Sequence, residues 1–424
     1  MSGGAPAIEL VAIGDELLLG DRVDTNSVWL ARRLAAEGIR VARRATVGDD
    51  ADAISDAVRD ALYRTGAVLC TGGLGPTSDD LTRPAVARVF GRALHVDEDV
   101  VSHIRARFAS LGREMPDSNR VQAQVPEGAI VLPNAWGTAP ALALEDEAGR
   151  CAVLLPGVPR EMERLVEAHV LPYLRRRWPG AAWPVLHRTI RTTGISESLL
   201  ADRVAELADS FRPLTLAFLP GYAGVDLRLT SWGTLDREEA GRRLDEAEAA
   251  LRERLEGYVY GTDDADLATV VGHALKRRGQ TLALAESCTG GLIAKRITDA
   301  AGASTFFLGG IIAYANGCKQ SLLGVRAETL AAHGAVSEET AREMAEGARR
   351  VIGADFAVAV TGIAGPGGGS PEKPVGTVWI CVAGPDRTEA RRVRLPGDRE
   401  EVRERGAQAA LALLWRHLGE EERA

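Results

Sequence analysis

Short apolar runs that stop at glycine-rich turns recur along this chain, and they constrain its fold more than any other feature. Ala67–Thr71 (AVLCT) runs into Gly72-Gly73-Leu74-Gly75-Pro76-Thr77-Ser78-Asp79-Asp80. Thr281–Ala285 runs into Glu286-Ser287-Cys288-Thr289-Gly290-Gly291, and Phe356–Thr361 into Gly362-Ile363-Ala364-Gly365-Pro366-Gly367-Gly368-Gly369-Ser370. A strand without polar alternation is buried on both faces, as in a parallel sheet covered by helices. Amphipathic stretches separate the runs. Asn26–Glu37, Asp50–Arg64 and Leu81–Phe90 read as helices, Ile8–Ile13 and Ile39–Val47 as strands. Alternation of this kind predicts an open α/β sheet with right-handed crossovers.

The 424 residues suggest about two to four domains. The expected class is α/β: two open α/β sheet domains joined by a small α+β domain. Residues 1–172 form the first, 185–262 the connecting domain and 264–420 the third. Arg175–Pro184 is basic, then rich in Pro and Gly, and reads as a linker. The middle block predicts strands at His187–Thr193, Leu214–Leu219 and Val225–Trp232, with helices at Ser196–Ser210 and Glu238–Leu255. The third predicts helices at Leu267–Arg278, Gly290–Ala300, Ser337–Ile352 and Arg399–Leu418. Its further strands are Phe306–Tyr314, Val375–Val382 and Ala390–Leu395, the first with the length of a buried strand.

Apolar residues make up 46% and charged residues 26%, which excludes a disordered chain. The net charge of −8 does not favour nonspecific binding to nucleic acid or anionic lipid. No direct nucleic-acid or membrane contact is expected. The N-terminus lacks a basic start and no run is long enough to span a bilayer. The five cysteines are scattered, form no CxxC and do not pair with the seven histidines. A disulfide framework or zinc site is not expected, and a reducing cytoplasm fits. The expected assembly is a homodimer.

Ser287 stands between a strand end and Gly290-Gly291, where backbone N–H groups could flank a nucleophile. The same segment serves equally as a helix cap beside a tight turn. Tyr314-Ala315-Asn316-Gly317-Cys318-Lys319 ends the next strand. With no histidine in either motif, a neutral lysine is the base available to activate serine. A lone lysine after a strand is most often an ordinary surface residue. Cys288 and Cys318 flank the same place and read best as small apolar strand-end residues. The Thr361–Ser370 loop could cradle phosphate or simply connect.

Together, ALAESCTGG, AYANGCKQ and VTGIAGPGGGSPEKPVGTV resemble the carboxy-terminal domain of the competence/damage-inducible CinA family. The resemblance implies a nicotinamide-nucleotide amidohydrolase, converting nicotinamide mononucleotide to nicotinate mononucleotide and ammonia without a cofactor. It makes Ser287 the nucleophile, Lys319 its base and Tyr314 an assisting hydroxyl. Thr289, Gly290 and Gly291, with Thr361, Gly365, Gly367 and Gly368, would hold oxyanion and phosphate.

GDELLLG, TGGLGPTSDDLT, NAWGTAP and LPGVPREM resemble the MoaB/MogA-like domain at the amino end of the same family. That resemblance implies an ADP-ribose pyrophosphatase dependent on Mg²⁺, Mn²⁺ or Co²⁺. Gly72, Gly73, Gly75, Thr77, Asn26, Gly137 and Thr138 would bind substrate, and Asp79, Asp80 and Glu16 the metal. The alternatives are a pterin- or nucleotide-binding module without turnover, or a competence accessory protein. The middle block resembles the family's connecting domain, including Thr193-Gly194-Ile195-Ser196-Glu197-Ser198.

Overall fold

The computed structural model describes residues 6–179 and 184–421. The chain divides into two compact units, Met1–Leu186 with Ser231–Gly241, and His187–Thr230 with Arg242–Ala424. The architecture is α/β, and no described helix is long and apolar enough to cross a membrane.

The first unit holds a six-stranded sheet in the order Arg40–Val47, Ala7–Ile13, Ala67–Thr71, Cys151–Leu155, Ala141–Glu145, Ile130–Leu132. The first four strands are parallel and the last two antiparallel. Successive side chains of a strand face opposite ways. Val11, Val68 and Leu154 therefore join one core, and Leu10, Leu69 and Val153 the other. The helix Ala51–Thr65 is capped by Asp50, whose carboxylate accepts from the N–H groups of Asp52 and Ala53. Its buried face, Ile54, Val58, Ala61 and Leu62, recurs at helical spacing. The helix Leu171–Arg177 carries the chain past Pro172 into the stretch expected to be linker. Arg175 pairs there with Glu37 and Arg177 with Glu145, so these arginines are structural. The middle of the predicted linker, 180–183, lies outside the described residues.

In the second unit, a five-stranded sheet runs Phe307–Ile312, Leu282–Glu286, Phe356–Gly362, Thr377–Ala383, Thr388–Arg394. Its first three strands are parallel. Thr377–Ala383 runs antiparallel to both its neighbours, and the turn from it to Thr388–Arg394 is too short for a parallel crossover. One face of the sheet presents Leu284, Val358, Val360 and Ile380 to helices Leu267–Arg278 and Arg399–Glu421. The other face is nearly all alanine, at Ala283, Ala285, Ala357 and Ala359, and lets helix Glu338–Ile352 approach closely. Phe307–Ile312, expected to be buried, is instead the sheet's edge strand, with Leu308 49% and Ile312 55% exposed. The small four-stranded sheet runs Thr215–Pro220, Val225–Trp232, Val185–Thr192, Val259–Thr262. Val225, Leu227 and Leu229 face its core.

Both large sheets begin with the same order. The first strand lies between the second and third, so the chain leaves it in opposite directions to its two neighbours. Ligands of open α/β sheets bind at such a switch point, outside the carboxyl ends of the strands. Gly14 and Gly72 occupy that position in the first sheet, and Ser287 and Ile363 in the second.

Candidate active site

Ser287 follows the strand Leu282–Glu286 directly, and its N–H donates to the carbonyl of Val360 on the neighbouring strand at 2.9 Å. The side chain is 8% exposed. Lys319 sits on a short helix, Asn316–Leu323, that sequence periodicity did not reveal, and that helix carries it inward until it is 1% exposed. Its Nζ lies 3.1 Å from Ser287 Oγ, 2.8 Å from the carbonyl oxygen of Ala313 and 3.1 Å from that of Tyr314. Burial penalises the ammonium and lowers the lysine pKa from its ordinary value. A neutral amine has two N–H donors and one lone pair. In that form the two carbonyls would take both donors and leave the lone pair for the serine hydroxyl, whereas the ammonium form donates its third N–H to Ser287 Oγ.

The glycine turn differs from expectation in its N–H groups. The helix after it begins at Leu292, not at Gly290, because Gly290 and Gly291 both take positive φ, at 62° and 93°. The buried carboxylate of Glu286 accepts from the N–H groups of Gly291, Ile293 and Ala294 at 2.9–3.2 Å. Gly291 therefore has no N–H left for substrate, and the positive end of this helix is already compensated. The N–H of Gly290 donates to the Ser287 carbonyl. Those of Cys288 and Thr289 have no oxygen acceptor among the described residues, although both lie within reach of the Cys288 sulfur. They are the backbone donors that follow Ser287 directly along the chain, the placement of oxyanion donors after a strand-end nucleophile.

Cys288 is no competitor for the nucleophile. Burial pushes its thiol up to about 12, so it stays protonated at neutral pH. The Tyr314 hydroxyl accepts from Arg399 Nη2 at 2.8 Å and makes no hydrogen bond to Ser287 or Lys319 among the described residues. Tyr314 reaches the pair through its main-chain carbonyl instead. Thr361 is also committed elsewhere, its hydroxyl donating to the Ala335 carbonyl at 2.6 Å.

Beside the turn opens a cleft of about 600 Å³, walled by Leu292, Gly365, Pro366, Arg399 and Arg403 together with the acids Asp398, Glu400 and Glu404. Gly365 belongs to this wall, whereas Gly367 and Gly368 lie exposed outside it. Arg399 also donates to the Gly365 carbonyl at 2.7 Å, and Arg403 to the Thr289 carbonyl at 2.9 Å. Neither guanidinium has a carboxylate within ion-pair distance among the described residues. Sequence reasoning missed both arginines. Their only signal was a four-residue spacing that puts them on one face at the start of the closing helix.

The first unit's turn is closed on itself. Gly72 has φ 108°, and a Cβ there would stand 2.1 Å from the Ile13 carbonyl oxygen, so no side chain is tolerated. Asp80, expected to bind metal, accepts from the Gly75 and Thr77 N–H groups at 2.6 and 2.8 Å and from the Thr77 hydroxyl at 2.5 Å. It organises the loop, and it removes the Gly75 and Thr77 donors from any ligand. Gly73 is bounded by the Thr82 hydroxyl. Arg83, 2% exposed, donates to the Leu74 and Gly75 carbonyls. Gly137 donates its N–H to Asn134 Oδ1, beside the half-buried Thr138. Asn26 donates to the Thr71 hydroxyl and the Gly157 carbonyl, while its own buried Oδ1 has no partner. At the same edge, burial and the charges of Asp15, Glu16 and Asp79 hold the Asp49 carboxyl above its ordinary value. No three acidic, histidine or cysteine side chains among the described residues converge on one ion-sized point.

A serine–lysine pair at the switch point of one α/β sheet, with a second α/β unit ahead of it, defines a two-part α/β protein. Residues 264–418 match the family described as CinA C-terminal domain, 9–176 that described as probable molybdopterin binding domain, and 187–261 that described as damage-inducible protein CinA KH domain. The chain belongs to the CinA family. It is 52% identical to a CinA-like protein of Gemmatimonas aurantiaca over 98% of this chain and 97% of that one. A putative competence-damage inducible protein of Symbiobacterium thermophilum is 47% identical, over 97% and 98% of the two chains. A solved CinA superfamily protein from Klebsiella pneumoniae is 41% identical over 36% of this chain and 96% of its own, with a TM-score of 0.36.

Proposed function

We propose that residues 264–420 hydrolyse the carboxamide of nicotinamide mononucleotide, giving nicotinate mononucleotide and ammonia. The observation that carries this reading is the buried pair of Ser287 Oγ and Lys319 Nζ at 3.1 Å, with the lysine's other contacts both carbonyl oxygens. Lys319 takes the Ser287 proton as Oγ attacks the carboxamide carbon. The N–H groups of Cys288 and Thr289 receive the developing oxyanion. The C–N bond breaks as Lys319 passes its proton to the departing nitrogen, and ammonia leaves. Water, deprotonated by the same amine, then cleaves the acyl-serine and releases the carboxylate. Arg399 and Arg403, without carboxylate partners, offer the substrate phosphate charge-assisted hydrogen bonds. The test is ammonia release by the purified full-length chain from nicotinamide mononucleotide. Chelator-insensitive turnover supports the reading, and no release from this substrate or from a panel of other nucleotide and simple carboxamides refutes it.

For the first unit we propose metal-dependent cleavage of ADP-ribose. The crowding of Asp15, Glu16, Asp49 and Asp79 at a switch-point edge supports a cation there. Because these residues form no closed cage, they fit Mg²⁺, Mn²⁺ or Co²⁺ only as an ion shared with a diphosphate, the usual mode for Mg²⁺. Glu16 and Asp79 would hold it, and Asp80 would act by shaping the loop. Bound there, the ion would offset the diphosphate's charge, which the carboxylates alone would repel. The unpartnered Asn26 Oδ1 and the half-buried Thr138 remain for ligand hydrogen bonds. Phosphate-product release from ADP-ribose, with and without chelator, checks this. Binding without cleavage under any divalent ion would leave a binding module.

A further inference from the structure

A second cavity, about 690 Å³, lies wholly within the second unit and away from Ser287. Three segments build it. The closing helix contributes Arg405, Gln408, Ala409, Ala412, Leu413 and Arg416, a stripe at helical spacing. The edge strand Thr388–Arg394 and the residues after it add Arg391, Val393, Arg394 and Leu395. The turns Thr193–Glu197 and Pro220–Val225 of the small sheet close it, bringing Tyr222. The Thr193-Gly194-Ile195-Ser196-Glu197 motif, which no catalytic role absorbs, is thereby a wall of this cavity.

Its charge contrasts with that of the whole protein. Four arginines and one carboxylate, Glu197, line it, with Arg391 also paired to Glu389 at 3.4 Å, although the chain carries a net charge of −8. Arg394 has neither an ion pair nor a side-chain hydrogen bond among the described residues. Arg405 has only a long contact to Glu401, at 3.6 Å, and lies 5.9 Å from the Tyr222 ring. Polar groups inside are left unsatisfied. Gln408 is 3% exposed; its amide donates to the Thr193 hydroxyl at 3.2 Å, while its Oε1 has no partner, and neither has Arg405 Nε. An unpaired buried polar group is costly, so its retention points to a ligand. The remaining wall is apolar, from Ile195, Val225, Ile380 and Leu413. A cationic end, one free amide oxygen, an aromatic ring and an apolar wall in a cavity of this size suit a small metabolite with an anionic head and a planar body.

We propose that this cavity is a second ligand site, taking a phosphorylated metabolite of mononucleotide size. Arg394 and Arg405 meet its phosphate, Gln408 Oε1 accepts a hydrogen bond from it, and Tyr222 stacks on its base. The site stands independently of the amidase reading, since none of these residues touches Ser287, Lys319 or the first cleft.

The test is calorimetric titration of the full-length chain with adenosine monophosphate, adenosine and inorganic phosphate. Wild type binds the nucleotide more tightly than either fragment. Arg394→Glu, on an exposed side chain, weakens one nucleotide-binding event at least tenfold with the thermal midpoint unchanged. Tyr222→Ala weakens the nucleotide but not inorganic phosphate. Unchanged nucleotide binding in Arg394→Glu overturns the proposal, as does absence of nucleotide binding to wild type. Equal affinity for inorganic phosphate would assign a bare anion site, and displacement of the nucleotide by a short single-stranded RNA a nucleic-acid surface; either result overturns the proposal as well.

Discussion

The two large sheets of this chain share a strand order and place glycine-rich turns at the same switch point, yet the turns use their polar groups in opposite ways. In the first, Asp80 and Arg83 take up the loop's own N–H and carbonyl groups. The result is a rigid rim with acids at its edge. In the second, Glu286 takes the helix N–H groups, and Ser287 Oγ faces Lys319 Nζ at 3.1 Å. Glycine richness therefore does not distinguish a reactive turn from a scaffold. What distinguishes them is where buried hydrogen-bonding capacity remains unfilled.

The sharpest break of this comparison is Ser287→Ala. Removing a covalent nucleophile should lower ammonia release by roughly four or more orders of magnitude, while ADP-ribose turnover by the first unit stays unchanged. Near-normal turnover would return suspicion to Cys288, despite its raised pKa.

Next is Lys319→Arg. Arginine cannot become neutral, so a loss of about 10³-fold or more is expected. Circular dichroism should report a folded chain. In the wild type, the lowered lysine pKa means the neutral fraction grows as pH rises through a value below 10.5. The rate should climb with pH and level off there. An active arginine variant, or a rate falling with pH over that range, would make Lys319 a phosphate-holding cation.

A smaller effect sharpens the assignment of the cleft. Arg403→Ala should raise KM for nicotinamide mononucleotide about tenfold or more, from loss of a charge-assisted hydrogen bond, with a lesser change in kcat. An unchanged KM would remove Arg403 from phosphate binding.

Smallest is Asp80→Asn in the self-closed turn. Weakening its accepted hydrogen bonds should destabilise the first unit by about 1–3 kcal/mol, read as a lower thermal midpoint. ADP-ribose turnover should fall and the amidase should stay intact. A variant that loses metal affinity at unchanged stability would make Asp80 a ligand after all.

Sequence alone determined the parts governed by neighbours along the chain. Apolar runs, helical periodicity and the positions of the glycine turns depend on residues a few places apart, so Ala67–Thr71 and Leu267–Arg278 match their expected bounds. The motifs around Ser287 and Lys319 carried the family resemblance. Tertiary structure decided what those residues can do. Lys319 meets Ser287 across 32 residues of chain, and its burial depends on a short helix with little amphipathic signal. Arg403 reaches Thr289 across 114 residues. Whether Glu286 fills a helix end, whether Asp80 faces its own loop, and whether Tyr314 turns its hydroxyl to Arg399 depend on three-dimensional competition for hydrogen bonds. No local pattern encodes that competition, because the winning partner is set by which groups packing brings within about 3 Å.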